Sequence, residues 1–126
     1  MTRLDGGCVV VTGGASGIGE STVRAIVAAG GSAVIADLQD DRGRALASEL
    51  GAAAVFHHTD VTREEDIAGA VNSACETFGP LTGMVNNAGV VGAIGSVMET
   101  SAEAFDHTMS ILSRAVFLGT KHAARA

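Results

Sequence analysis

Four glycines fall within the eight residues Thr12–Gly19, which read TGGASGIG and follow the apolar run CVVV. A glycine-rich turn between a strand and a helix lets the backbone turn tightly and lets a phosphate approach its N–H groups. The dipole of the following helix favours an anion there. The segment therefore predicts either a phosphate-binding loop or a tight turn without a ligand. A Walker-type loop is disfavoured because Glu20, and not lysine, follows Gly19.

Polar residues also stand at the ends of three further apolar runs. Asp37 ends AVIAD, Asp60 follows HHT, and Asn86–Gly89 follows GMV. Carboxylates accept hydrogen bonds, and side-chain amides both donate and accept them. Ligands of open α/β sheets bind outside the carboxyl ends of the strands. These residues are therefore candidates for one shared site with the glycine loop.

The elements that must position these residues alternate along the chain. Apolar runs predict strands at 8–11, 33–36, 53–56 and 83–85. Helical repeats begin after Gly17, after Asp40, at Thr62 and at Thr100. Thr62 with Glu65, and Thr100 with Glu103, are spaced as capping boxes at the third and fourth helices.

The predicted order is β-α-β-α-β-α-β-α. Strands that are apolar throughout are typical of a parallel sheet covered on both faces. Right-handed crossovers then give a Rossmann-type, doubly wound α/β fold. No linker or internal repeat interrupts the pattern, so residues 1–126 are predicted to form one domain, which stops after the fourth helix.

Together these motifs resemble the short-chain dehydrogenase/reductase family, whose pattern T-G-x-x-x-G-x-G matches Thr12–Gly19. The resemblance covers essentially the whole chain but only the N-terminal half of the family's usual length. It implies strand order 3-2-1-4, a nicotinamide dinucleotide, and conversion between a secondary alcohol and its ketone. The implied cofactor-binding residues are Gly13, Ser16, Gly17, Ile18, Gly19, Asp37, Leu38, Asp60, Val61, Asn87, Ala88 and Gly89.

Asp37 sets the expected choice of cofactor. Its two oxygens suit the hydroxyls of an adenosine ribose and would repel a 2′-phosphate. Neither Ser16 nor Leu38 supplies a compensating cation, so NAD(H) is favoured over NADP(H). Arg42 is a cation close to Asp37 in sequence, so NADP(H) is left as an alternative.

The resemblance gives Asp60 and Asn87 roles next to the cofactor. Asp60 would accept a hydrogen bond from the adenine amino group while the Val61 backbone contacts the ring; a cap before Thr62 is the alternative or additional role. Asn87 and the small residues after it would lie against the cofactor. For Asn86 a purely structural turn is an equal alternative.

The family's catalytic serine, tyrosine and lysine belong to its second half, and this sequence contains no tyrosine. Leu112 stands where members carry a relay asparagine, and Ser110 and Ser113 precede the segment that carries the catalytic serine. No catalytic residue is therefore assigned, and the 126-residue chain alone is predicted to be inactive. The alternative is a dinucleotide-binding protein without hydride transfer. A methyltransferase using S-adenosylmethionine is a weaker third interpretation, which the NNAG motif disfavours.

Composition narrows the remaining classes. A formal net charge of -6 disfavours nucleic-acid and anionic-membrane surfaces. No apolar run reaches membrane-spanning length, and a soluble, cytoplasmic protein is expected. Cys8 and Cys75 are expected to be reduced, buried thiols. His57 and His58 are expected to be strand residues that bind no metal.

Self-association is expected through an open edge at the fourth strand and through a fourth-helix face formed by Met109, Leu112, Val116 and Phe117.

Overall fold

The computed structural model describes residues 3–126. This part of the chain forms a four-stranded sheet in the order β3-β2-β1-β4. The strands are β1 (Cys8–Thr12), β2 (Ser32–Asp37), β3 (Ala54–His58) and β4 (Gly83–Val85). All three neighbouring pairs are parallel. The predicted Rossmann-type fold and its strand order are confirmed.

Helices alternate with these strands. They are α1 (Gly17–Ala28), α2 (Asp40–Leu50), α3 (Glu64–Phe78), α4 (Ala102–Met109) and α5 (Ala115–Arg125). A π-helical turn over Ser110–Arg114 joins α4 to α5, where the sequence predicts one continuous helix. In this turn the Ala115 N–H bonds to the Ser110 carbonyl, five residues back. None of the helices in residues 3–126 has the length and apolar character needed to cross a membrane.

Neither predicted capping box forms. Arg63 is the N-cap of α3, and the Thr62 hydroxyl donates instead to the Asp60 carboxylate at 2.6 Å. Ser101, and not Thr100, caps α4, where its Oγ accepts from the N–H of Ala104. The Thr100 hydroxyl donates to the Ser96 carbonyl at 2.9 Å, so both threonines make local hydrogen bonds that compete with capping.

The sheet is covered on both faces, as apolar strands require. One face packs against α1 and α2 through Val11, Ile35, Val23, Ile26 and Leu46. The other packs against α3 through Cys8, Val10, Val34, Ala70 and Ala74. Burying one such large aliphatic side chain contributes about 1.5–3 kcal/mol to folding. With both faces covered, the polar motifs lie at the carboxyl ends of the strands.

The two cysteines differ in burial. Cys8 and Cys75 are both free thiols, as predicted. Cys8 is fully buried, and this burial raises the pKa of its thiol. Cys75 is only half-buried, so the prediction of two buried thiols is wrong for this residue. Cys75 lies in the last turn of α3, one position after the buried Ala74.

The helix face expected to be exposed is exposed in the described chain. Met109, Leu112 and Val116 are each about two-fifths exposed, and Phe117 is 63% exposed. Phe105, one turn earlier on α4, is also exposed. Five large apolar side chains are thus exposed on successive turns of this segment.

Candidate functional site

A cleft of about 930 Å³ runs along the carboxyl ends of the strands. All of the predicted site residues except Gly17 and Gly19 line it: Gly13, Ser16, Ile18, Asp37, Leu38, Asp60, Val61, Asn87, Ala88 and Gly89. A cleft at this edge is where open α/β sheets bind ligands. The fold therefore brings four separate sequence motifs to one concave surface.

Gly17 and Gly19 affect the conformation of the loop without lining the cleft. Gly17 begins α1 with a φ of 57°, a left-handed conformation that side chains with a Cβ rarely adopt. A Cβ at Gly19 would overlap the carbonyl oxygen of Gly13. The Asn87 side-chain amide donates to the carbonyls of Thr12 and Gly13 at 3.1 and 3.3 Å. The close approach of α1 to the loop thus depends on the absence of a side chain at position 19.

Asp37 joins β2 to the glycine loop. This residue is only 7% exposed, and its Oδ2 accepts a hydrogen bond from the Ala15 N–H at 2.9 Å. Its Oδ1 accepts from the backbone and side-chain N–H groups of Gln39, at 2.9 and 3.3 Å. The same Gln39 amide donates to Ser16 Oγ at 3.1 Å. Donors on both sides fix the orientation of the Asp37 carboxyl group at the wall of the cleft.

The cation nearest to Asp37 in sequence does not reach the cleft. Arg42 Nη2 lies 3.6 Å from Glu20 Oε1 on α1, and Arg42 is not among the lining residues. The negative charge of Asp37 is therefore not compensated by Arg42 in this structure.

Asp60 forms a local turn with Thr62. Its Oδ1 accepts from the Thr62 N–H at 2.9 Å and from the Thr62 hydroxyl at 2.6 Å. These two bonds lower the pKa of the Asp60 carboxyl below its ordinary value. Asp60 thus has a local structural role at Thr62, which the sequence analysis gave as an alternative or additional role. It also lines the cleft. Next to it, Val61 packs against the buried cluster of Ile67, Ala115 and Leu118.

The two asparagines after β4 separate. Asn87 lines the cleft, and its N–H and that of Ala88 both donate to Thr12 Oγ1 at 3.0 Å. Asn86 turns away, with its side-chain oxygen against Gly119 of α5. The structural alternative for Asn86 is the one observed.

The sequence analysis did not assign several lining residues to the cofactor site: Gln39, Thr59, Thr62, Val90, His107 and Ile111. Val91, which also lines the cleft, belongs to the loop segment at 91–96 that the sequence suggested as a substrate contact. Thr12, buried beside the cleft, was quoted in the motif but given no role. Its place at the carboxyl end of the first strand was the available signal for the bonds to Asn87 and Ala88. His107 and Ile111 had no such signal, because the fourth helix reaches the cleft only through the tertiary fold.

The relay position lies next to the cleft. Leu112 sits in the π-helical turn, and a Cβ at Gly89 would lie 3.5 Å from Leu112 Cδ2. The aliphatic side chain of Leu112 therefore occupies the position at which the family that the sequence resembles carries a hydrogen-bonding asparagine. The neighbouring Ser110 hydroxyl donates to the His107 carbonyl at 2.6 Å.

The histidines of β3 bond to local oxygens. His57 Nδ1 lies 3.0 Å from Thr59 Oγ1, and His58 Nδ1 lies 2.6 Å from Asp40 Oδ1. Within residues 3–126, histidine, cysteine and carboxylate side chains form no group of three that could hold a metal ion.

Comparison with known proteins agrees with the geometry. The sequence model of the family described as short chain dehydrogenase matches residues 7–126. Tropinone reductase-like 1 from Erythroxylum coca is 42% identical over 126 residues, covering 98% of this chain and 46% of that protein. "Borneol dehydrogenase, mitochondrial" from Lavandula x intermedia is 44% identical, covering 99% of this chain and 48% of that protein.

A solved structure shows the same fold at lower identity. The crystal structure of a short-chain dehydrogenase/reductase, glucose/ribitol dehydrogenase from Brucella melitensis, matches with a TM-score of 0.92 and 28% identity. The match covers all of this chain and 55% of that one. The chain spans about half the length of the curated relatives that it matches. With nearly its full length matched by the family, the chain belongs to the short-chain dehydrogenases.

Proposed function

We propose that this chain is the NAD(H)-binding part of an oxidoreductase that interconverts a secondary alcohol and its ketone. The family binds a nicotinamide dinucleotide. One observation carries the choice of cofactor: Asp37 lines the same cleft as the glycine loop, to which its carboxylate is bonded through Ala15. A fixed anion at the end of β2 is the feature that suits an unphosphorylated ribose.

The acceptor capacity of Asp37 supports binding of the ribose hydroxyls. A carboxylate offers about four acceptor positions, and three are engaged by Ala15 and Gln39. The Gln39 side chain is exposed, so a ribose hydroxyl can replace its 3.3 Å bond to Oδ1. A 2′-phosphate would instead place negative charge against Asp37, which is unfavourable at short range.

The remaining motifs suit the other parts of the cofactor. Ser16 and Ile18 line the cleft at the N-terminus of α1, where backbone N–H groups and the helix dipole favour the pyrophosphate. Asp60 and Val61 are proposed to contact the adenine. Asn87, Ala88 and Gly89 are proposed to let the backbone lie against the nicotinamide half. The bound cofactor would supply the hydride acceptor or donor.

The substrate class is proposed from relatives that cover this chain. One is named as a borneol dehydrogenase and another as tropinone reductase-like. Both names suit an alcohol or ketone substrate. The VVGAIGS segment at 90–96 is exposed beside the cleft and carries no charged side chain that would select a substrate.

A second candidate is dinucleotide binding without hydride transfer by this polypeptide. The sequence has no tyrosine to act as acid or base on the substrate oxygen, and Leu112 replaces the relay asparagine. Both candidate functions use the same cofactor cleft. They differ in whether the chain catalyses hydride transfer, which an assay of NADH formation measures.

Titration calorimetry with NADH and NADPH tests the cofactor proposal. We expect NADH to bind more tightly, and Asp37→Ala to lose about tenfold in NADH affinity together with most of the preference. Asp41→Ala, an exposed acid one turn further on, is the matched control and should bind like the wild type. Tighter binding of NADPH that is unchanged in Asp37→Ala would overturn the proposal.

A further inference from the structure

We infer that Arg114 is a positioning residue for the adenine end of the cleft, an inference that rests on the proposed binding of NAD(H). Arg114 is the last residue of the π-helical turn. Its Nη1 donates a hydrogen bond of 2.8 Å to the carbonyl oxygen of Thr62, 52 residues away in sequence. The bond joins the α4–α5 junction to the turn that follows β3.

That turn carries the two residues proposed to contact adenine. The hydrogen bonds from Thr62 to the Asp60 carboxylate both reach Oδ1. Within the described chain Oδ2 keeps its full capacity to accept a hydrogen bond from an amino group. The Asp60 N–H donates to Asp66 Oδ2 at 3.0 Å, which anchors the start of the turn to α3. Arg114 anchors its other end through the Thr62 carbonyl.

The same junction contacts the turn through apolar side chains. Val61, between Asp60 and Thr62, packs against the buried cluster formed by Ile67 of α3 with Ala115 and Leu118 of α5. Ala115 directly follows Arg114 in the chain. The turn is therefore held by a polar contact from Arg114 and by apolar packing against a cluster that includes the next residue, Ala115.

The π-helical turn also supplies part of the cleft wall. Ile111, one of its residues, lines the cleft together with Asp60 and Val61. The turn thus contributes a wall residue and, three positions later, the arginine that bonds Thr62. A shift of this junction would move the wall and the adenine turn together. π-helical turns occur frequently at functional sites, consistent with this arrangement.

The chemistry of the bond favours a positioning role. A hydrogen bond from a charged guanidinium is stronger than one between neutral groups. Arginine holds its donors in a rigid planar fork, whereas lysine is a flexible point charge. Arg114→Lys should therefore retain part of the function, and Arg114→Met should remove the donor while keeping the aliphatic stem.

The test compares NADH with its analogue in which hypoxanthine replaces adenine, so that the amino group is absent. Fluorescence titration of the 126-residue chain should show tighter binding of NADH by about fivefold. Arg114→Met should weaken NADH binding about three- to fivefold while binding of the analogue changes little, so that the preference falls towards one. Arg114→Lys should restore at least half of the preference. Arg125→Met, at the far end of α5, is the matched control and should match the wild type.

Other outcomes would overturn the inference. Equal losses for both dinucleotides in Arg114→Met would indicate a general structural role, as would an Arg114→Lys variant that behaves like Arg114→Met. A wild-type chain that binds both dinucleotides equally would remove the amino-group contact on which the readout depends, and the inference with it. A wild-type chain that binds neither dinucleotide would overturn the proposed function itself. Unchanged binding of both dinucleotides in Arg114→Met would overturn only the inference about Arg114, so the two failures can be distinguished.

Discussion

The guanidinium of Arg42 lies 3.6 Å from the carboxylate of Glu20, so the cation nearest to Asp37 in sequence is held on α1. Glu20 also pairs with Arg24 at 2.9 Å. The Arg42 side chain is 58% exposed, and such pairs contribute little to folding. If the proposed NAD(H) site is right, the pair also influences ligand choice, because it keeps a positive charge away from the ribose position proposed beside Asp37.

We therefore expect Glu20→Gln to tighten NADPH binding about two- to fivefold, with NADH affinity unchanged. Arg42 released from Glu20 could then approach the added phosphate. The gain should vanish in the double variant with Arg42→Ala. Glu49→Gln, which removes a partner of Arg24 only, is the control. Calorimetry that shows equal changes for both cofactors would contradict this role.

Gly19 and Gly17 should respond differently to alanine. A Cβ at Gly19 overlaps the Gly13 carbonyl, whereas a Cβ at Gly17 meets no atom within 4 Å and only its φ of 57° is unfavourable. We expect Gly19→Ala to lower the free energy of unfolding by about 3 kcal/mol. Gly17→Ala should lower it by about 1 kcal/mol. Urea denaturation measures both, and a larger loss at Gly17 would contradict the geometry.

The ion pairs of Glu64 should make stability depend on pH. Glu64 accepts hydrogen bonds from Lys121 at 2.9 Å and from His122 at 3.3 Å, and these partners lower its pKa below the ordinary value of 4.5. A lowered folded-state pKa stabilises the fold above about pH 4.5, and this contribution is lost as the pH falls through the folded-state value. The stability difference between wild type and Glu64→Gln should thus be larger at neutral pH than at about pH 3.

Lys121→Met gives an independent check of this ion pair. It removes the first partner of Glu64, so its effect on the urea midpoint should also shrink as the solution is acidified. A difference from the wild type that stays constant with pH in both variants would show that the ion pair does not stabilise the fold.

The exposed apolar face of α4 and α5 predicts self-association of this chain. Phe117 is its most exposed member at 63%, and β4 is an edge strand in the described sheet. We expect sedimentation velocity to show dimers or larger species at micromolar concentration, and Phe117→Ser to weaken association several-fold. Val97→Ser, in the exposed loop before α4, is the control. A stable monomer across the micromolar range would contradict the prediction.

Hydride transfer by the 126-residue chain should be undetectable. A positioned acid or base contributes about 10²–10⁴-fold to the rate, and this sequence has no tyrosine to supply it. The assay follows NADH formation with a panel of secondary alcohols. Steady turnover that co-purifies with the chain and disappears in Gly17→Val would refute the prediction.

In a longer protein that includes the catalytic residues, Leu112→Asn should raise turnover with little change in cofactor affinity.

The strand order was implied by the resemblance to the family. The sequence by itself determined the alternation of strands and helices, the glycine loop and the position of Asp37 at a strand end. These features depend on local spacing: an apolar run, a turn of fixed length and a polar residue at the next strand end. Because parallel strands place their carboxyl ends along one edge, residues as distant as Gly13, Asp60 and Asn87 had to share a cleft once the fold class was known.

Only the tertiary structure decided which competing contact each polar side chain makes. Thr62 bonds to Asp60 instead of capping α3, and Asn86 faces α5 while Asn87 faces the cleft. The hydrogen bond from Arg114 to Thr62 spans 52 residues, and no local pattern encodes it. Periodicity predicts where an element lies, because it follows from backbone geometry. The choice between hydrogen-bond partners depends on distances that exist only after the elements have packed.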